Sequence, residues 1–239
     1  MRTLSFQIGL TGFLALSMVV PSVGNVLAQT ATNLPIQMDF EGMEIGSLPP
    51  GFSAAVTGEG GPTLWVVEAA DPADPGNARV LAQLSSERVS YRFPVCVYEP
   101  FVAADVELLV RFKPISGEID QAAGLVWRYQ DVNNYYVVRA NALEDNVVLY
   151  KMEDGQRSDL RPVGAWFFSY GADAEVPANN WSTLSVVVRG NRFSVSLNGD
   201  HLFDVEDGTF SESGKVGLWT KADSVTQFDD FTILSLDQG

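Results

Sequence analysis

Between residues 36 and 234 the chain is a succession of short β-branched and aromatic runs, each closed within a few residues by Gly, Asp, Asn or Pro. No long segment of this region repeats its apolar residues at the spacing a helix requires. The pattern predicts strands at 36–41, 63–68, 79–84, 88–93, 104–113, 122–130, 135–141, 146–152, 183–189, 192–197, 215–221 and 226–234. Gly190-Asn191 reads as a two-residue hairpin turn and Asn198-Gly199 as the next reversal, with a longer one at Glu153-Asp154-Gly155-Gln156. About a dozen antiparallel strands without crossover helices leave an all-β sandwich or barrel as the fold class. The Pro/Gly-rich stretches 47–51, 58–62 and 71–76 read as connections inside one domain, because strands resume at once on both sides.

The first 28 residues read as a secretory signal. Arg2 supplies the positive end, 8–20 the apolar stretch, and Val26-Leu27-Ala28 a small-residue cleavage site. The apolar run falls short of the roughly 20 residues of a membrane span, so no stable membrane insertion is expected after cleavage. The expectation is an exported domain, 29–239, in the periplasm or outside the cell. The formal net charge of −15 argues against nucleic acid and anionic membranes as partners. The one cysteine, Cys96, lies in an apolar run and reads as a core residue; without disulfides the domain must rely on its hydrophobic core.

The stretch 122–157 mixes strand-forming residues with Trp127, Arg128, Tyr129, Tyr135, Arg139 and Asn141, a combination suited to a surface that holds a polyhydroxylated ligand. The opening Met38-Asp39-Phe40-Glu41 and the closing Phe228-Asp229-Asp230-Phe231 carry carboxylates that a jelly roll would bring together on neighbouring strands. Glu41 and Asp229 are therefore candidate ligands for a structural calcium, but without a loop of EF-hand spacing ordinary acidic strand edges are the favoured account, and no cofactor is required. His201 follows a turn and has no nucleophile elbow to serve.

Gly124-Leu125-Val126-Trp127-Arg128-Tyr129, Asn134-Tyr135-Tyr136-Val137-Val138-Arg139, Val148-Leu149-Tyr150-Lys151, Gly214-Lys215-Val216-Gly217-Leu218-Trp219 and Phe228-Asp229-Asp230-Phe231 resemble the central and closing strands of concanavalin A-like lectin/glucanase (LamG-like) domains. Within that group the chain is similar to the bacterial 3-keto-disaccharide hydrolase-type domain, related to family 16 glycoside hydrolases. The resemblance implies an antiparallel two-sheet jelly roll whose concave sheet binds sugar. On that sheet Tyr135 and Trp219 would stack on sugar rings, while Arg128, Arg139 and Asn141 would meet hydroxyls. Strand alternation puts Tyr135, Arg139 and Asn141 on one face and allows only one of Trp127 and Arg128 to share it.

Family 16 enzymes carry their acids as Glu-x-Asp-x-Glu on one strand face. Here the stretch reads Glu118-Ile119-Asp120-Gln121-Ala122, so the last acid is missing and the match reads as chance, with Glu118 and Asp120 at a strand edge. Glu144, Asp145 and Asp223 remain as weaker catalytic candidates. The reading is an exported carbohydrate-binding domain. Its alternatives are a glycoside or 3-keto-glycoside hydrolase using carboxylates outside that motif, and a non-catalytic interaction module of the cell envelope. Arg139→Ala is expected to weaken binding while leaving the melting temperature near that of the parent.

Overall fold

Sixteen strands are laid down in chain order in the computed structural model, which describes residues 1, 3, 34–74, 78–166 and 169–237. They are β1 (Ile36–Met38), β2 (Phe52–Gly58), β3 (Trp65–Ala69), β4 (Arg79–Gln83), β5 (Arg92–Ala103), β6 (Val106–Ser116), β7 (Ala122–Asp131) and β8 (Asn134–Asn141). There follow β9 (Asn146–Glu153), β10 (Gln156–Leu160), β11 (Ala172–Asp173), β12 (Ser182–Arg189), β13 (Arg192–Leu197), β14 (Asp200–Glu206), β15 (Gly214–Trp219) and β16 (Val225–Ser235). The segment read as a secretory signal lies outside the described residues apart from its positions 1 and 3. No helix among the described residues is long and apolar enough to cross a membrane.

The strands form two antiparallel eight-stranded sheets. One runs β14-β13-β12-β6-β16-β4-β3 with β1 on β16; the other runs β10-β9-β8-β7-β15-β5-β2 with β11 on β9. The first and last strands are neighbours, with Met38 opposite Phe231, as the jelly-roll reading requires. Between the sheets lies a core that includes Leu108, Val110, Phe112, Leu125, Trp127, Tyr136, Leu149, Phe193 and Phe228. Each such side chain, fully withdrawn from water, contributes about 1.5–3 kcal/mol. Trp127 stacks on Tyr136 at 5.6 Å between ring centroids and meets Phe193 edge-on at 5.3 Å. Cys96 is buried in this core, and that burial pushes its thiol pKa well above the ordinary value.

The sequence pattern missed β2, β10, β11 and β14 and cut β5 short. Proline explains part of this: Pro94 and Pro100 both lie within β5. Pro94 sits one residue past the last pair with β15, Trp219 opposite Val95, so that neighbour loses no ladder donor to the ring. The Asn198-Gly199 turn joins β13 to β14, with φ of 53° and 87°, a left-handed pair that Asn and Gly adopt readily.

Candidate functional site

The second sheet has two faces, and the one turned away from the sandwich core is not the polar surface a two-layer fold normally shows to water. It carries a second apolar cluster that includes Phe93, Val95, Tyr135, Val137, Tyr150, Met152 and Trp219. Strand register sets the order across it. One row runs Val95, Trp219, Gly124, Arg139, Val148. The row beside it toward the β8–β9 turn holds Ala122, Asn141 and Asn146. Gly124 separates Trp219 from Arg139 with no side chain between them. A Cβ there would meet the Val138 carbonyl oxygen at 2.8 Å and the Trp219 Cβ at 3.3 Å.

Arg139 is wholly buried on this face. Its Nη2 donates to Glu144 Oε2 at 2.8 Å and to Asn146 Oδ1 at 2.5 Å, and its Nη1 lies 3.8 Å from Asp120 Oδ1. Asp120, also wholly buried, accepts from Asn141 Nδ2 at 2.7 Å and from Lys221 Nζ at 2.5 Å. Two carboxylates, two cations and two amides thus share one patch. Burial pushes the Asp120 carboxyl above its usual range, and the Lys221 and Arg139 charges offset only part of that rise. Burial also raises Glu144, but its bonds to Arg139 and Asn146 outweigh it, and its carboxyl ends below the ordinary value. Neighbouring carboxyls held apart in this way are suited to opposite proton roles. The Nε of Arg139 is buried without a hydrogen-bond partner.

Aromatic rings border the patch. Arg139 Cζ lies 5.7 Å from the centre of the Tyr150 ring, and the Tyr150 and Tyr170 hydroxyls hydrogen-bond to each other. Tyr170 is presented by the segment between β10 and β11 and is 44% exposed, so it forms the outer edge of this ring system. Phe93 stacks on Trp219 at 5.4 Å, with 14° between the planes, and Tyr129 stacks on Tyr135 at 5.6 Å. Burial, reinforced by the Asp131 and Glu99 charges, pushes the Tyr129 hydroxyl up to about 12.

Tyr135, Arg139, Asn141 and Trp219 therefore share one face, and Glu144 joins them from the β8–β9 turn. Arg128 does not. A left-handed φ of 47° bulges β7 at that residue, and the guanidinium is spent on carbonyls at the end of the sandwich: Ala104 at 2.9 Å, Phe210 at 2.7 Å and Gly190 at 2.6 Å. Trp127, its neighbour, is in the core, so neither of the pair reaches the outer face.

The remaining carboxylates serve the backbone. Asp223 accepts from the amides of Glu118, Ile119 and Asp120 at 2.8–3.2 Å, which fixes the turn leading into β7. Asp145 accepts from the Val176 amide at 3.0 Å. Glu41 accepts from the Arg79 amide at 2.8 Å, and Asp229 faces the Arg111 guanidinium at 3.4 Å. A guanidinium beside Asp229 opposes a divalent cation there, and among the described residues no group of three or more His, Cys, Asp or Glu is placed to hold a metal. These residues do not fit the calcium expectation.

Sequence reasoning did not place Asp120, Asn146, Tyr150, Tyr170 and Lys221 on this patch. Asp120 had a usable signal. Ala122 pairs with Asn141, so alternation carried two residues back along the chain places Asp120 on the Arg139 face. Lys221 and Tyr170 lie beyond strand ends, where alternation gives no direction.

The fold is an antiparallel two-sheet jelly-roll β-sandwich with a buried polar and aromatic patch on the outer face of one sheet. The family can be stated more closely. Residues 94–234, more than half of the chain, match the 3-keto-alpha-glucoside-1,2-lyase-like domain, and the chain belongs to that family. Among solved structures it is similar to the carbohydrate-binding module CBM66 from Bacillus subtilis, with a TM-score of 0.56 and 21% identity over 77% of this chain and 96% of that one. It is also similar to the cellulose-induced protein Cip1, with a TM-score of 0.58 and 14% identity over 84% of this chain and 97% of that one. At these identities the likeness is one of fold. No curated protein matches the chain.

Proposed function

We propose that this is an exported domain that binds a glycan on the outer face of its second sheet. The observation that carries this is Arg139, a fully buried arginine on a non-core face whose Nε has no partner, set among amides, carboxylates and aromatic rings. Sugars present that mixture in reverse: hydroxyls that need donors and acceptors, and C–H faces that need rings. The family and the carbohydrate-binding neighbour support the same reading. Export rests on the apolar stretch 8–20 and the small residues before position 29. Isothermal titration of the full chain against a panel of glucans, fructans, galactans and uronans tests the proposal. Saturable binding that is lost in Asn146→Leu supports it, and no heat with any of them sinks it.

A second reading, cleavage of a glycoside or a 3-keto-glycoside, is favoured by the opposite displacements of Asp120 and Glu144. In it Asp120, whose proton affinity burial raises, gives or returns the proton, and Glu144, whose proton affinity Arg139 lowers, is the second carboxylate. Lys221 keeps Asp120 oriented and Asn141 fixes its other oxygen. Product release from glycosides and their 3-keto forms, followed with the parent chain and Asp120→Asn, tests this. Turnover unaffected by that substitution excludes Asp120 from the chemistry.

A further inference from the structure

The binding patch continues onto β10, where Arg157 stands opposite Met152 on the same face as Tyr135. Its guanidinium carbon lies 4.6 Å from the centre of the Tyr150 ring and 5.1 Å from that of Phe93. Its Nη1 is buried and has no hydrogen-bond partner. The three buried arginines among the described residues all have a carboxylate at hand: Arg92 has Glu87 at 3.4 Å, Arg128 has Asp105 at 3.4 Å, and Arg139 has Glu144 at 2.8 Å. Arg157 is only partly buried, yet among the described residues it makes no ion pair. Asp159, two residues along β10 on the same face, is exposed and does not pair with it.

In a chain with twice as many acids as bases, an unpaired guanidinium held against two rings is out of keeping with its surroundings. Ring faces stabilise a cation but leave its N–H groups unspent, and a buried unspent donor is costly. Arg139 adds a second unspent N–H on the other side of Tyr150. A neutral sugar can use one such donor through a hydroxyl. The charge on Arg157 is used only by an anion, and a planar fork fits a carboxylate or a sulfate ester.

Resting on the glycan reading above, the geometry points to an acidic glycan as the ligand, its anionic group on Arg157 and a neighbouring hydroxyl on Arg139. The net negative charge of the protein does not prevent this, because at physiological salt fields are screened beyond about 8 Å and the contact decides.

The test is titration of the full chain at 0.15 M salt with an oligogalacturonide, its carboxyl-reduced neutral counterpart, and a sulfated galactan oligosaccharide of the same length. A preference of about tenfold or more for an acidic oligosaccharide over the reduced one is expected, the size of one charge-assisted contact. In Arg157→Gln that preference falls toward unity, and in Arg157→Lys it is partly kept, with thermal melts confirming that both variants fold. The sulfated but not the carboxylated ligand binding would assign the anion as a sulfate. Equal affinity for the acidic and reduced oligosaccharides overturns the acidic-ligand inference and leaves the glycan reading standing. Binding of none of the three overturns the inference, and the wider panel then decides the glycan reading.

Discussion

Replacing Arg139 by alanine tests the site as a piece of physical chemistry. The sequence alone suggests a surface arginine whose loss weakens binding and leaves stability untouched. The structure argues otherwise, because the guanidinium is wholly buried between Glu144, Asn146 and Asp120. Breaking a buried ion pair by removing one partner costs about 3–5 kcal/mol. That figure must be discounted here. Glu144 is 39% exposed and can be rehydrated, and Asp120 keeps its contact with Lys221. A loss of about 2–3 kcal/mol remains. At about 2–4 °C per kcal/mol for a domain of this size, the melting temperature falls by about 5–10 °C at pH 7.

The pH dependence has a definite sign. Without the cation both carboxyls titrate higher in the folded state than in the parent, and for Asp120, already above its ordinary value, the window in which the folded chain binds more protons than the unfolded chain widens. Stability then falls as pH rises through that window. The deficit of the alanine variant is therefore largest near neutrality and shrinks as pH drops toward 4.5. Thermal melts of parent and variant across pH 4.5–8 measure it. An unchanged melting temperature at pH 7, or a deficit that grows on acidification, refutes the argument that Arg139 neutralises the Asp120 and Glu144 carboxylates.

In the parent, the Asp120 carboxyl lies above its ordinary 3.8, so its contribution to stability declines as pH rises from 3.8 through its folded value; Asp120→Asn removes that decline and flattens the melting-temperature profile there. Asp223→Ala strips an acceptor from three backbone amides and should cost about 2–3 kcal/mol by urea titration, with ligand affinity falling as the Asp120 turn loosens. Gly217→Ala places a Cβ 2.4 Å from the Cys96 carbonyl oxygen; the sheet must part there, and a clear drop in melting temperature is expected. Cys96, buried with a raised thiol pKa, should resist a thiol reagent in the folded chain and react fully in denaturant, as mass spectrometry would record.

The fold was legible because its signal is redundant. Period-two patterning appears in strand after strand, so missing β10 and the two-residue β11 changed nothing about the sandwich. Those strands are short and largely exposed, and a strand without a buried face has no alternation to read. The site was legible only where it borrowed the same signal. Tyr135, Arg139 and Asn141 follow one another at period two on β8, and their common face needed no structure to see. Arg128 broke the rule because one left-handed residue re-aimed the chain, and no residue type in Trp-Arg-Tyr announces a bulge.

Asp120 shows what a five-residue pattern leaves out. A Glu-x-Asp-x-Glu comparison asks whether the acids sit on one strand, and it fails when the third position is Ala122. In the cleavage reading proposed above, the two acids come together by another route. Asp120 is brought to the face by a turn stapled through Asp223, and its partner acid, Glu144, arrives from the β8–β9 hairpin. Each is held by groups from elsewhere in the fold: Lys221 just past the end of β15, Asn146 on β9 and Arg139 on β8. Opposite proton affinities need different environments more than a shared strand, and the environments here are set by contacts between residues as far as 101 positions apart. A motif confined to five residues cannot encode that. If Asp120 and Glu144 act as a pair, exchanging them as Asp120→Glu with Glu144→Asp should not preserve function, because each carboxyl is fitted by length to its own cation.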